Sequence, residues 1–340
     1  MAASVDTQRP GDAGIARRID LAGGRRSATI DRAFRGGTAA VAAFVVLLLV
    51  LIALVLVNDS RAAIAQFGVG FITGQVWDPQ RATFGVLPYI YGTLFSSLLA
   101  LFFSVPLAVG AALFIDEYAP SWLRAPVSFV VELLGAIPSI IYGLWGFFVL
   151  GPFMRGTIEL WLKSGFGNVP VLKELVRGNP IGKDVLIAAT ILAIMILPTV
   201  MSVSREIIGS VPDTQREGML ALGATKWETI QGAVLPYARS GIIGAAILGL
   251  GRALGETMAV TLVIGNSSTR ISWSLFTPGY TMASAIANQF NEADSPLYFS
   301  AIMGVAVTLL VIAGLTNLVA RFIVQRVTGG PGGDTRVTAL

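Results

Sequence analysis

Long uncharged apolar stretches recur along the chain and are separated by short segments that carry the charges. Five stretches contain no Asp, Glu, Lys or Arg over 20 to 34 residues, namely 36–58, 82–115, 133–154, 185–204 and 295–320. A sixth apolar segment, 240–269, is interrupted only by Arg252 and Glu256. Because about 20 consecutive apolar residues make a helix long enough to cross a bilayer, the pattern predicts an all-α integral membrane protein with six transmembrane helices.

The positive charges between the spans predict which side each loop faces. If the N-terminus is cytoplasmic, the inside segments carry 15 Lys and Arg residues and the outside segments carry 8. Membrane proteins concentrate Lys and Arg in their cytoplasmic loops, and an even number of spans returns the chain to its starting side. We therefore expect both termini, together with the loop 205–239, to be cytoplasmic.

The two ends of the chain differ in composition from the spans. Residues 1–36 contain seven Arg and four Asp without hydrophobic periodicity, which predicts a disordered cytoplasmic tail. The segment 327–340 is rich in glycine and predicts a flexible C-terminal tail. The membrane domain is accordingly expected to comprise residues 37–326.

The overall composition excludes several kinds of chemistry. The chain is 54% hydrophobic and 13% charged, and it contains no cysteine and no histidine. Thiol nucleophiles, disulfides, Ser-His-Asp hydrolysis and the common zinc sites are thereby excluded, and we expect no metal site. The P-loop pattern GxxxxGK[ST] does not occur. Since the spans also show no clustered carboxylate pair, an intramembrane enzyme is disfavoured, and a secondary transporter is a further alternative.

Prolines and two charged residues within the spans suggest a path through the membrane. Pro106, Pro138 and Pro198 should kink their helices, because each lacks a backbone hydrogen-bond donor. Arg252 and Glu256 are spaced i, i+4, so they would share a helix face and could pair. They form either a structural ion pair or the lining of an anion path, since arginine suits phosphate oxygens.

Two further residues are candidates for the same path. Thr257 lies near the face of Arg252 and Glu256 and could contribute a hydroxyl. Glu132 lies near the cytoplasmic entry of the third span. It is a candidate gate residue, and the alternative is a carboxylate that simply reaches the membrane interface.

The loop 205–239 has the pattern of two short helices joined by a glycine. Ser210–Asp213 and Thr225–Glu228 are each predicted to be capping boxes. The first helix should end at Gly223, and the second should end near Ala233 before Pro236. The exposed apolar residues are expected to be Met219, Leu220 and Leu222. They would lie on the membrane surface or dock a soluble partner.

The same loop resembles the EAA loop of ABC importer permeases, whose pattern is E-A-A-x3-G-x9-I-x-L-P. Glu217, Gly223, Leu235 and Pro236 fall at the matching spacings. Gly218 and Met219 replace the two alanines, and Ala233 replaces the isoleucine. The resemblance implies that the four matching residues couple the chain to an ATPase.

Other segments are similar to the phosphate-specific PstC family of permeases. They are Phe84-Gly-Val-Leu-Pro-Tyr-Ile-Tyr-Gly-Thr93, Asp116-Glu-Tyr-Ala-Pro120, Glu132-Leu-Leu-Gly-Ala-Ile-Pro-Ser139 and Gly251-Arg-Ala-Leu-Gly-Glu-Thr-Met-Ala-Val260. The resemblance covers roughly residues 84–321 and implies a type I ABC importer fold with its transmembrane core at about 90–321. It also associates Arg252 and Glu256 with phosphate passage.

The resemblance further implies a function and a set of partners. The function would be phosphate import across the bacterial cytoplasmic membrane, and the alternative is another oxyanion such as sulfate or molybdate. The partners would be a PstA-like second permease, two PstB-like ATPase subunits, a PstS-like phosphate-binding protein and membrane lipid, without nucleic acid. ATP and Mg²⁺ would bind the partner ATPase, and this chain would hold no cofactor and catalyse no reaction.

Overall fold

The computed structural model describes residues 13–170, 172–267 and 271–328, and these are predominantly helical. Five of the described helices are long and apolar enough to cross a membrane. A sixth span results when two helices joined at a sharp bend are counted together. The predicted all-α fold with six spans is therefore confirmed.

The first helix, α1 (Ala13–Asp59), contains the first span in its part Asp31–Asp59. It begins inside the segment 1–36 for which the sequence predicted disorder. Half of residues 13–36 are Ala, Arg or Leu, which rank among the strongest helix formers and account for the helical start. Residues 1–12 and 329–340, where the tail predictions also apply, lie outside the described residues. Among the described residues, those up to Asn58 form one compact unit and those from Asp59 onward form another.

The second unit begins with two short helices and a small hairpin, α2 (Arg61–Phe67), α3 (Val69–Thr73), β1 (Trp77–Asp78) and β2 (Thr83–Phe84). The two strands are antiparallel, with Trp77 opposite Phe84. The helices that follow are α4 (Leu87–Leu113), α5 (Ser121–Ala136), α6 (Ser139–Trp145), α7 (Gly151–Gly156), α8 (Ile158–Phe166), α9 (Val185–Gly209), α10 (Asp213–Ala221), α11 (Lys226–Thr229), α12 (Leu235–Gly255), α13 (Met258–Val263), α14 (Met282–Gln289) and α15 (Pro296–Thr328). Wider π-helical turns lie at Phe114–Tyr118, Gly146–Leu150 and Ile230–Val234, and a 3-10 turn lies at Phe290–Glu292.

The centre of this unit is α9. Fifteen of its 25 residues are buried, and α4 and α12 pack against it. A helix that is apolar around its whole circumference is stable only when it is surrounded by apolar material. Asp184 caps its N-terminus by accepting a hydrogen bond from the Ile187 N–H at 3.1 Å. Burial raises the pKa of Asp184 to about 6.

The third span is broken rather than continuous. Helix α5 and the helical run Ser139–Phe166, which begins with α6, meet at an angle of 91°. Pro138 cannot donate a backbone hydrogen bond, and Ile137 before it adopts an extended conformation with φ −68° and ψ 129°. A residue that precedes proline is sterically disfavoured in the helical region. The predicted kink at Pro138 is thus a complete break, whereas Pro106 and Pro198 lie inside α4 and α9.

The fifth span also differs from its prediction. The sequence predicted one helix over 240–269, but α12 ends at Gly255 and α13 begins only at Met258. At its other end the span starts earlier, because α11, the π-helical turn and α12 form a continuous run over Lys226–Gly255. The predicted stop at Pro236 was wrong. Pro236 lies in the first turn of α12, and the π-helical turn before it loosens the helix at that point.

Close packing of α4 gives a stability prediction. A Cβ added at Gly92 would overlap the backbone carbonyl oxygen of Tyr280, whereas one added at Gly110 in the same helix meets nothing within 4 Å. Gly92→Ala should therefore destabilise the protein by about 1–3 kcal/mol, because the backbone at Tyr280 cannot move aside as a flexible side chain could. The measurement is the thermal unfolding midpoint in detergent. Gly110→Ala is the matched control, and equal midpoints for the two variants would contradict the packing.

Candidate translocation pathway and coupling loop

Arg252 lies in the last turn of α12, directly before the break in the fifth span. Its side chain is exposed, and its Nη1 donates a hydrogen bond to the Thr199 Oγ1 at 3.2 Å. Thr199 belongs to the central helix α9 and follows Pro198. An exposed guanidinium in the middle of an apolar domain costs several kcal/mol of insertion free energy unless it is solvated or paired. Arg252 is therefore a candidate functional residue.

Glu256 does not pair with Arg252, and that prediction was wrong. The helix ends at Gly255, so Glu256 is extended with ψ 127° and the i, i+4 geometry does not exist. Its Oε1 instead accepts a hydrogen bond from the Ala259 N–H at 3.2 Å, at the start of α13. A carboxylate is favourable there because the N-terminus of a helix carries partial positive charge.

Thr257 precedes α13 and donates its hydroxyl hydrogen to the Gly255 carbonyl at 3.2 Å. The Thr257 carbonyl in turn accepts a hydrogen bond from the Thr261 hydroxyl at 2.7 Å. The structure therefore brings Arg252, Glu256 and Thr257 to one break in the backbone, as near neighbours in the chain. Their role as a substrate pathway remains a prediction.

The two broken spans meet each other. Helix α13 packs against α6, and Gly143 of α6 is so close that a Cβ there would lie 2.9 Å from the Ala259 Cα. Tyr142 beside it is buried and donates its hydroxyl hydrogen to the Leu134 carbonyl across the break, at 2.7 Å. Within a membrane, non-helical backbone is tolerated only where protein buries it or where it lines a polar cavity. Here protein buries the contact, since Gly143 and Ala259 are both buried.

Glu132 lies elsewhere, on α5. It lines a cavity of about 300 Å³ together with Asp116, Ser128, Arg205 and Glu206. Arg252 is not among the residues that line this cavity. The proposed gate role of Glu132 stays a prediction, but the structure places it among charged groups at the α4–α5 junction and the C-terminal part of α9.

The loop 205–239 contains the predicted glycine turn. Gly223 has φ +84°, a conformation that favours glycine. Thr225 and Glu228 form the predicted capping box, with the Thr225 N–H donating to the Glu228 Oε2 at 2.7 Å. The box predicted at Ser210–Asp213 was wrong, because the Ser210 hydroxyl donates to the Ile207 carbonyl of the preceding turn instead.

The first helix of the loop and the residue that follows it present exposed apolar side chains without a described partner. No residue of α10 is buried, and the side chains of Leu220 and Leu222 are 51% and 86% exposed. Met219 is instead half-buried, and its Cε would lie 2.9 Å from a Cβ at Gly232. Glu217 is exposed, Leu235 is half-buried and Pro236 is exposed. Exposed apolar side chains on a short helix are typical of a docking element.

The match to a family model decides which proteins this chain is related to. The model described as "Binding-protein-dependent transport system inner membrane component" matches residues 104–329. The chain belongs to this family.

Individual relatives and a solved structure agree with that membership. The phosphate transport system permease protein PstC of Mesorhizobium japonicum is 44% identical over 308 residues, covering 91% of this chain and 94% of that protein. The protein of the same name from Xylella fastidiosa strain 9a5c is 43% identical over 320 residues, covering 94% and 98%. A bacterial ABC transporter involved in the import of the polysaccharide alginate matches with a TM-score of 0.55 and 20% identity, covering 88% of this chain and 99% of that chain. The fold is that of a type I ABC importer permease, a multi-pass membrane protein.

Sequence reasoning missed several polar residues of this permease. Thr199 and Tyr142 lie in apolar stretches, and nothing in the sequence apart from their hydroxyl groups marked them as functional candidates. Glu159 and Asp184 are both fully buried and act on each other electrostatically, although the sequence had indicated no clustered carboxylate pair in the spans. The two are 25 positions apart, so only the fold brings them together.

Proposed function

We propose that this chain is the permease subunit of an ATP-driven importer that carries inorganic phosphate across the bacterial cytoplasmic membrane. The observation that carries the proposal is the match to the PstC proteins, which extends over 94% and 98% of their lengths. A match of that extent includes the spans, the two breaks and the loop together. A fold likeness alone would support no substrate.

The chemistry at the break in the fifth span supports an anionic substrate. Arg252 offers a fixed positive charge with donors in a planar fork, which fits the oxygens of a phosphate group. Thr199 accepts a hydrogen bond from one arm of that fork at 3.2 Å, and the Thr257 hydroxyl lies in the interruption between α12 and α13, where it donates to the Gly255 carbonyl. In this proposal Glu256 contributes negative charge near the path. This charge lowers the affinity of the site for an anion, so that the anion can be released.

The partners in this proposal follow from the loop and from the family. The exposed Leu220 and Leu222 would dock one of two PstB-like ATPase subunits, which bind ATP and Mg²⁺ and perform hydrolysis. A PstA-like permease would complete the membrane part, and a PstS-like binding protein would deliver phosphate from outside. Both termini and the loop 205–239 would then face the cytoplasm, in agreement with the distribution of Lys and Arg.

The test is uptake by the reconstituted complex. Proteoliposomes that contain this chain with the second permease and the ATPase, supplied with ATP inside and binding protein outside, should accumulate labelled phosphate. Omission of this chain should abolish accumulation, and omission of ATP should do the same. Accumulation of sulfate or molybdate in place of phosphate, each with its own binding protein, would refute the proposed substrate and support the other oxyanion.

A further inference from the structure

Three consecutive residues between α4 and α5 each contact a different part of the chain around the loop 205–239. Asp116, Glu117 and Tyr118 end the π-helical turn that follows α4, and we call them the 116–118 turn. Because this turn is covalently continuous with α4 on one side and leads into α5 on the other, any force on it acts on both helices.

Each residue of the 116–118 turn holds one cation. The Arg205 Nε of α9 donates to the Asp116 Oδ1 at 3.1 Å, and the Arg216 Nε of α10 donates to the Glu117 Oε1 at 3.1 Å. The Lys226 Nζ of α11 lies 4.9 Å from the centre of the Tyr118 ring. The turn therefore contacts the end of the central helix and both short helices of the loop.

The contact between Glu117 and Arg216 is unlike an ordinary surface ion pair. Their side chains are only 11% and 18% exposed, and Arg216 also donates to the carbonyl of Ile208 at 2.9 Å and to the carbonyl of Val211. By contrast, the pair Glu174–Arg177 is 59% and 73% exposed. Several fixed acceptors hold the guanidinium of Arg216 in one orientation. An exposed ion pair is not held in this way, and it contributes little to the free energy of folding.

The side chains of α10 itself make few buried contacts with the rest of the unit. No residue of α10 is buried, so hydrophobic packing contributes little to its position. Its other contacts are that of Met219 with the region of Gly232 and that of Val211, which lies two residues before the helix and is buried in the core with Ile115 and Ile208. Within α10 itself, the direct side-chain contact with the 116–118 turn is made by Arg216.

We propose that Glu117 and Arg216 are positioning residues that transmit displacement of α10 to α4 and α5, with Asp116–Arg205 and Tyr118–Lys226 as flanking supports. The inference rests on the proposed function, in which the loop docks an ATPase. When the ATPase moves α10, the largely shielded ion pair moves the 116–118 turn with it. Without the pair, α10 would move while the span helices stay in place.

The first test separates ATP hydrolysis from transport. In the reconstituted complex, Glu117→Gln should lower the phosphate transported per ATP hydrolysed by roughly three- to thirtyfold, with hydrolysis itself retained. Glu174→Gln removes a carboxylate from the exposed pair and is the matched control, for which the ratio should stay that of the unmodified complex. An unchanged ratio in Glu117→Gln at normal abundance would overturn the proposal.

The second test restores the link chemically, which is feasible because the chain has no cysteine. In a complex whose other subunits lack cysteine, the variant Glu117→Cys with Arg216→Cys should be uncoupled. Cross-linking the two thiols with a short bismaleimide should restore the ratio. The pair Glu174→Cys with Arg177→Cys, cross-linked in the same way, should leave it unchanged. Failure of the cross-link to restore coupling would overturn the idea of a mechanical link.

A third measurement does not depend on transport. Amide hydrogen exchange over Asp213–Ala221 should become faster in Glu117→Gln, while exchange in the buried part of α9 should not change. Unchanged exchange in α10 would show that the pair does not hold this helix, whatever the transport result. If the unmodified complex does not import phosphate but exchange in α10 rises as expected, then the proposed function fails and the fastening of α10 stands.

Discussion

Arg252→Gln is expected to lower phosphate uptake by the reconstituted complex roughly 10- to 100-fold. A hydrogen bond to a charged group contributes about 1.5–3 kcal/mol, and 1.36 kcal/mol corresponds to a tenfold change in rate. Arg252 is exposed, and the described structure gives it no carboxylate partner, only the Thr199 hydroxyl at 3.2 Å. Its charge is therefore free to act on an anion. The measurement is the initial rate of labelled phosphate uptake at equal amounts of complex.

Two further variants separate charge from geometry at this position. Arg252→Lys keeps the charge but loses the planar fork, so its uptake should be intermediate. Thr199→Val removes the acceptor that orients Arg252, and its uptake should fall less than that of Arg252→Gln. Arg321→Gln, at an exposed arginine of α15, is the control for loss of one positive charge. If Arg252→Gln imports phosphate at the normal rate, this residue is structural and the pathway lies elsewhere.

Gly223→Val should uncouple ATP hydrolysis from uptake, with a fall in uptake of roughly tenfold. The glycine has φ +84° and joins the two short helices of the loop. A β-branched residue is strained in that conformation by about 1–3 kcal/mol, and the strain is relieved most easily by reorienting α10. A Cβ at Gly223 meets nothing within 4 Å, so the effect comes from the backbone alone. Uptake and ATPase activity are measured on the same proteoliposomes.

Controls for this variant exist within the chain. Gly223→Asn should retain much of the uptake, because asparagine tolerates positive φ better than other side chains. Gly178→Val carries similar backbone strain at φ +104° in the segment between α8 and α9, again with open space around it. It should leave the ratio of transport to hydrolysis unchanged. Coupled uptake at the normal rate in Gly223→Val, at normal abundance, would exclude this turn from the mechanism.

The sequence was sufficient for the number of spans, though not for the interruptions within two of them, because membrane insertion depends on composition over about 20 residues. It was also sufficient for Gly223 and for the capping box at Thr225, since both are decided by residues a few positions apart. It failed for Glu256, because the i, i+4 argument assumed that the helix continues past Gly255. The helix is interrupted there where α13 packs against α6, a contact between distant segments that no local pattern encodes.

Contacts between distant positions form the other class of failure. Arg252 meets Thr199 from 53 positions away, and Arg216 meets Glu117 from 99 positions away. Each of these arginines had many acidic or hydroxyl residues available in principle. The selection among them is made by the way α4, α9 and α12 pack, and that packing is a property of the whole unit.

The burial of α9 has a consequence for how this protein assembles. Its sequence is apolar enough to enter lipid as an independent helix, yet in the final structure protein surrounds it. When α9 leaves contact with lipid tails and packs against α4 and α12, no hydrophobic surface is removed from water. The hydrophobic effect therefore does not drive this association. Shape complementarity and close approach must supply the driving force instead. Swapping leucine for isoleucine in α9 would thus leave insertion intact and still change the fit of the assembled bundle.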